Sequence, residues 1–371
     1  MSLVRLGHEV HVIVVGADIQ PDDIEPGVRE AAASVNCIPL AKPEVQTLDW
    51  WKLLYSNDAL TKVFFPGFWR LRDAVERILT SINPDYVWAE WIGALTVIAP
   101  SRKVIYSHHD FYYKVREVRD KVRGAKRRFI DQLRENRLKQ YELMLSRKGL
   151  CTVCVSDSER QEFEALGVRN VSYIPIVSET IPPPSVQTDT GRIFVFGTWH
   201  NTAMRSSMKH FREAIWNLIE HSALPLEWHQ VGTLETQQSD TWKWVQEHFV
   251  LHGFIEDLDS VFRIGDASIL PYKENTGFRT RFVIAAAYGV VNIGYNETFL
   301  CAPEFTPGRN CLAGQTPQDI ANLIQQYASD PALRKRLGEA ARELYENEFS
   351  FEAQLPKYAR VLEQATARND H

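Results

Sequence analysis

Two short stretches of the 371-residue chain combine side chains able to transfer a group. His108, His109 and Asp110 run together. A carboxylate can take a proton from a hydroxyl nucleophile, and an adjacent imidazole can orient that hydroxyl, stabilise charge or act as the base itself. Tyr272–Arg281 (YKENTGFRTR) gathers Lys273, Arg279, Thr280 and Arg281 around a Gly-containing loop. Guanidinium groups pair bidentately with phosphate oxygens and can neutralise a phosphate leaving group with no bound metal. The first stretch suits a base and the second an anionic ligand. Each also has an ordinary reading: Asp110 as the cap of a following helix, Arg279 and Arg281 as members of surface or interdomain ion pairs.

The flanking elements give both stretches a common position. Lys103–Ser107 is an apolar strand running into the histidines. Asp266–Leu270 is another, running into the basic loop. Thr280–Tyr288 then reads as a buried helix stopped by Gly289, with a strand at Val290–Ile293. The whole of His252–Gly294 reads as strand, helix, strand, loop, helix, strand. Such alternation implies an α/β protein with parallel sheets. Ligands of parallel sheets bind outside the carboxyl ends of strands, against helix amino termini.

Further strands are expected at Glu9–Val15, Asp85–Ala89, Cys151–Ser156, Val171–Ile174, Ile193–Phe196, Trp228–Val231 and Val250–His252. Helices are expected at Trp91–Pro100, Lys114–Lys148, Asp157–Leu166, Ala203–His221, Thr316–Ala328 and Pro331–Glu346. A final helix spans Phe349–Gln364, with Ser350 as its N-cap. Ile181–Gly191 (IPPPSVQTDTG) is proline-rich, lacks periodicity and reads as a linker. Domains are therefore expected at 1–180 and 192–349, joined by 181–191, with 350–371 as a terminal helical segment. Met1–Leu6 reads as the last turn of a helix stopped by Gly7, so a first strand and a Gly-rich loop are expected to be missing before it.

Composition narrows the function. The length fits two domains. The net charge of -5 argues against a general nucleic-acid binder. No apolar run reaches membrane-spanning length and no signal peptide opens the chain. Five cysteines do not suggest a disulfide framework, and a cytoplasmic location is expected. Cys151 and Cys154 form a CxxC, but inside the apolar run Leu150–Val155, and no second Cys or His pair has zinc-like spacing. No metal or cofactor is expected. Asp49–Leu79 packs Trp50, Trp51, Leu53, Leu54, Tyr55, Phe64, Phe65, Phe68 and Trp69 into a short span, either as core or as a face docking on a membrane interface. Lys114–Lys148, with Arg116, Arg119, Arg123, Lys126, Arg127 and Arg128, carries thirteen Lys/Arg against five Asp/Glu. That excess is a solvated face or a contact for anionic phospholipid, which would make the protein peripheral on the inner face of the cytoplasmic membrane.

Several motifs together resemble GT-B glycosyltransferases of the family 4-like kind (glycosyltransferase group 1). LGHEVHVI at Leu6–Ile13 matches that family's second strand. Gly197–Asn201, GFIEDL from Gly253, DASILPY, the helix ending AAAYG, VVNIG, PGRNCLAGQTPQDIANLI and SDPALRKRLGEAARELYENEFSFEAQLPKYARVL follow in the family's order. The resemblance implies an N-terminal acceptor-binding and a C-terminal nucleotide-sugar-binding Rossmann-like domain facing across a cleft, with the last helix crossing back to the N-domain. SINPDYVWAEWIGALTVIAP followed by KVIYSHHD is also similar to xanthan-type inverting glucuronosyltransferases. That similarity implies Asp110 as catalytic base, and Tyr272 and Arg281 on donor-contacting positions; from its chemistry His109 is a helper, or the base itself if Asp110 caps the helix. The same similarity places Gly197, Thr198, Trp199 and Phe254 on the nucleotide loops, with Arg279 and Thr280 beside Arg281. The family 4 pattern has two Glu where this chain has Thr276 and Ile284, which tilts the reading from a retaining to an inverting mechanism. The implied donor is a UDP-, GDP- or dTDP-sugar, and the implied acceptor a saccharide or lipid-linked saccharide of polysaccharide biosynthesis. Two rival readings are a glycosyltransferase-like scaffold without activity and a sugar-nucleotide epimerase of the same fold.

Overall fold

Parallel pairing organises every sheet of the computed structural model, which describes residues 1–40, 50–122, 129–176, 181, 190–199, 201–235, 239–272 and 277–369. Lys273, Thr276, Arg123, Lys126, Arg127, Arg128 and residues 182–189 of the expected linker lie outside the described residues. By its contacts the chain divides into two compact units. The first comprises Met1–Glu117, Gly124–Ile174 and Gln354–His371, the second Val118–Arg123 and Pro175–Ala353.

In the first unit β1 (His11–Gly16) pairs with β2 (Ser34–Pro39). A second sheet sets β3 (Val87–Glu90), β4 (Val104–His108), β5 (Cys151–Cys154) and β6 (Val171–Tyr173) side by side in that order. β4 and β5 are buried along their whole length, as expected of central parallel strands covered on both faces. The last helix, Phe351–Asn369, puts Val361 and Ala365 into a core with Ile105, Cys151, Val153 and Ile174. Both cysteines of the CxxC are thus core residues, and burial holds the Cys154 thiol well above its ordinary range.

The second unit is a six-stranded sheet of β7 (Gly191–Phe196), β8 (Leu226–Val231), β9 (Val250–Gly253), β10 (Ala267–Leu270), β11 (Val291–Tyr295) and β12 (Cys311–Gly314). Their spatial order is β12-β11-β10-β7-β8-β9. The chain runs outward from β7 through β8 to β9, then returns to β10 on the other flank of β7. That reversal is a topological switch point, where connections leave β7 and β10 in opposite directions and open a crevice at their carboxyl ends. At the opposite end of the same strands, Arg192 and Asp266 form a buried ion pair (Nη2···Oδ2 2.5 Å). Tyr327 donates its hydroxyl there to the carbonyl oxygens of Arg192 and Gly265.

Three predicted helices are shorter than expected. Trp91–Pro100 is helical only over Trp91–Ala94. Its Thr96-Val97-Ile98 run is β-branched and all three residues are buried, so the apolar signal there reports burial, not helix. Ala203–His221 is α-helical over Thr202–His210, then widens to a π turn at Phe211–Ile215 and tightens to a 3-10 turn at Trp216–Leu218. The segment after Gly253 forms a single 3-10 turn, Leu258–Ser260. The basic stretch forms helices at Tyr112–Val122 and Phe129–Ser146. No helix of the described residues is long and apolar enough to cross a membrane.

Candidate active site

Arg281 stands in the first turn of the helix that follows β10. In that helix, Thr280–Ala287, the N-cap residue Arg279 makes no side-chain cap, so the amino end relies on other partners for its first amides. Phe282, Val283 and Ala285–Ala287 are buried and bind the helix to the sheet. The Arg281 guanidinium is half-buried and donates from Nη1 to the Tyr272 hydroxyl at 2.6 Å. Met204 Sδ lies 3.5 Å from Arg281 Nη1 and accepts from the Tyr272 hydroxyl at 3.3 Å. Arg279 places its guanidinium over the Tyr272 ring, 4.9 Å from the centroid. Thr298 in turn donates to the Tyr272 carbonyl. The ring of Tyr272, 4% exposed, is therefore a buried post that aims two cations, and its hydroxyl is already engaged.

The loop after β7 meets this cation through Gly197. Its φ of 139° is a backbone region that glycine tolerates and other residues avoid. A Cβ there would lie 2.5 Å from Arg281 Cζ. Gly232 after β8 (φ 124°) and Gly253 ending β9 (φ 72°) continue the row along the carboxyl edge. Gly197 N–H donates to the Val231 carbonyl at 2.9 Å and Gly232 N–H to the Gly253 carbonyl at 2.7 Å. The first two glycines let chain pack on chain, Gly197 against the Arg281 guanidinium and Gly232 against the Gly197 carbonyl, while Gly253 has open space beside it.

The other residues expected at the donor site divide. Thr198 and Thr280 are exposed beside the crevice loops, and Phe254 is 75% exposed just after Gly253. Trp199 is not on the surface. It is 1% exposed and edge-to-face on Trp242 at 4.8 Å, so its indole fills the core instead of facing a ligand. Ile284, at the place of a family Glu, packs beside the cluster of Phe196, Phe262 and Tyr288. Met204 and Gly232 have no signal in the sequence, and Gly253 enters there only as the start of GFIEDL. A methionine among helix residues and isolated glycines before loops carry no chemical signature of their own.

In the first unit the His-His-Asp turn leaves β4 and enters the helix Tyr112–Val122. The three side chains go to different places. His108 is buried, its Nδ1 3.0 Å from the Tyr106 hydroxyl and its Nε2 3.2 Å from Glu159 Oε2. His109 turns outward and bonds Glu90 Oε2 through Nε2 at 2.6 Å. Asp110 is half-buried. The amides of Tyr112 and Tyr113 donate to the carboxylate of Glu142, at 2.8 and 3.1 Å, so a residue of another helix caps this one. Burial raises the Glu142 carboxyl, those two bonds lower it, nearby Glu159 raises it again, and the net is a pKa of about 8. Glu142 and Glu159 had no sequence signal, because each sits in a charged helical stretch that reads as solvent-facing.

Known proteins share this fold. Residues 1–176 match the family model Glycosyltransferase Family 4, and residues 227–359 match the model Glycosyl transferase-like. No curated protein sequence matches the chain. Among solved structures, a glycosyltransferase from Rickettsia africae superposes with a TM-score of 0.68 at 14% identity, covering 98% of this chain and 92% of its own. Sucrose-phosphate synthase from Thermosynechococcus elongatus gives 0.67 at 16% identity, covering 99% and 91%. HepE from Anabaena, solved with UDP-glucose, gives 0.63 at 11% identity, covering 96% and 100%. At such identities these structures speak to the fold.

Proposed function

Because residues 1–176 and 227–359 match glycosyltransferase family models and the fold is that of the GT-B glycosyltransferases, we propose that the chain transfers a sugar from a nucleotide-sugar donor to a saccharide or lipid-linked saccharide in the building of a cell-surface glycan. The observation that carries the donor side is Arg281, fixed by Tyr272 and Met204 against Gly197 at the switch point of a parallel sheet. Its guanidinium and the amino end of its helix suit a diphosphate, and both neutralise the charge that develops as the nucleoside diphosphate leaves. Asp110 acts as the base in this reading. It takes the proton of the acceptor hydroxyl, whose oxygen attacks the anomeric carbon on the face opposite the leaving group and inverts it. Ile284 supports inversion, since an apolar side chain cannot accept hydrogen bonds as the family's Glu does. The scaffold reading would leave the same crevice without turnover.

The acceptor is proposed to be presented at an anionic membrane surface. Trp51, Tyr55 and Trp69 are exposed within residues 50–71 of the first unit, and Lys62 and Arg70 lie over the Trp69 ring at 5.2 and 5.1 Å. Interfacial aromatic rings with cations beside them are what anionic headgroups recognise.

Calorimetry with UDP, GDP and dTDP tests the donor site. Arg281→Ala is expected to weaken binding by about 2 kcal/mol, roughly thirtyfold. Asp110→Asn is expected to abolish transfer while leaving nucleotide affinity intact. A folded wild-type protein that binds none of the three nucleotides would overturn the enzyme reading in favour of the scaffold.

A further inference from the structure

Trp91 follows the last residue of β3 with a φ of 69°, a left-handed conformation that a bulky aromatic residue seldom adopts. Its indole lies flat on the His109 imidazole, with centroids 4.5 Å apart and planes 2° from parallel. His109 is fixed in turn by Glu90 Oε2 at 2.6 Å, and the other Glu90 oxygen accepts from Trp88 Nε1 at 2.8 Å. Burial raises the Glu90 carboxyl, but the bonds from His109, Ser107 and Trp88 outweigh it and hold the group below its ordinary range. After all this fixing the indole is still 55% exposed. A strained backbone and a braced ring that adds little to the core are features of a site held ready for a ligand.

We propose that the exposed face of Trp91 is a stacking platform for a pyranose ring of the acceptor, with Glu90 and His109 at its edge for the ring hydroxyls. This rests on the reading of Asp110 as base. β3 and β4 pair with Glu90 opposite Ser107, so Trp91 and Asp110 both leave the carboxyl edge of adjacent strands. A sugar ring suits the position because its axial C–H bonds lie against an aromatic face while its equatorial hydroxyls reach outward to polar partners. Glu90, being ionised, accepts from such hydroxyls, and charge-assisted bonds of that kind are the stronger ones.

The test is saturation-transfer NMR on the full chain, with cellobiose and maltose as probes in the presence of UDP. The wild type is expected to transfer saturation to the ring C–H protons of at least one disaccharide. Trp91→Gly is expected to reduce that signal at least fivefold while leaving the melting temperature equal or higher, because glycine accepts the left-handed backbone without strain. Trp91→Phe should retain part of the signal. A wild-type-sized signal in Trp91→Gly, a wild type that shows no signal with either sugar, or a marked fall in melting temperature in Trp91→Gly would each overturn the platform. UDP calorimetry on the same samples separates the two readings. If UDP binds equally to wild type and Trp91→Gly while the sugar signal ignores Trp91, the platform falls and the transferase stands. If UDP binds neither, the transferase reading itself falls.

Discussion

Gly197 and Arg281 are in such close contact that a Cβ on the glycine would lie 2.5 Å from Cζ and 2.8 Å from Nη2 of the guanidinium. Gly197→Ala is therefore expected to displace Arg281 from Tyr272, and to strain the backbone at a φ of 139°. UDP affinity should fall about tenfold or more, as for a charge-assisted bond lost or misaligned. A dissociation constant within twofold of wild type, measured by calorimetry, would detach Arg281 from the phosphate site.

Glu142 should make stability depend on pH in a distinctive direction. Its carboxyl titrates at about 8 in the folded protein, against an ordinary value of 4.5. Between those values the folded state keeps a proton that the unfolded chain has released, so this group's contribution to stability falls as pH rises through the window. Glu142→Gln removes that dependence. The melting-temperature advantage of wild type over Glu142→Gln should be larger at pH 5.5 than at pH 8. An advantage equal at both would mean that the carboxyl is ionised throughout.

The buried pair Arg192–Asp266 braces the amino ends of β7 and β10, and Arg192 also donates to the Val261 carbonyl at 2.9 Å. Arg192→Met leaves the Asp266 carboxylate buried without its cation, a change that typically costs about 3–5 kcal/mol. Denaturant unfolding should show a loss of that size. The double variant Arg192→Met/Asp266→Leu should recover most of it. A loss under 1 kcal/mol in the single variant would mean that the Arg263 amide, which donates to Asp266 Oδ2 at 2.8 Å, holds the carboxylate without the guanidinium.

Vesicle flotation addresses the aromatic surface. The protein is expected to float with vesicles containing phosphatidylserine, less with neutral phosphatidylcholine, and less as salt screens the cations. Trp51→Ala with Tyr55→Ala should reduce flotation severalfold without changing UDP affinity. Equal flotation on neutral and anionic vesicles, or none, would remove the membrane from the functional reading.

Legibility followed burial. DASIL and KVIYS were readable as strands because central parallel strands are apolar along their whole length, and they appear as Ala267–Leu270 and Val104–His108. Ser350 was readable as a cap, and its Oγ accepts from Ala353 N–H at 3.2 Å. The same rule misled at Trp91–Pro100, where burial was mistaken for helix. It also failed for β2, SVNCIP, where polar Ser34 and Asn36 alternate with apolar residues, and for β12, CLAG, which is only four residues long. At the site, Arg281 stands out in the sequence as a cation beside a Gly-containing loop, whereas Gly197 enters only through the family resemblance. The partition of His108, His109 and Asp110 into core, rim and turn was not legible there. It depends on Glu159, Glu90 and Glu142, which come from three other elements and meet the turn only in the fold.

The row of glycines along the second sheet has a consequence for how the crevice responds to occupancy. A side chain on Gly232 would overlap the Gly197 carbonyl, and the Gly232 amide is tied to Gly253. The connections after β7, β8 and β9 are thus geared to one another through main chain alone. Ordering any one of them orders its neighbours, so a bound diphosphate is charged the conformational entropy of a single body and not of three independent loops. Amide hydrogen exchange across Gly197, Gly232 and Gly253 should then slow in concert when UDP binds.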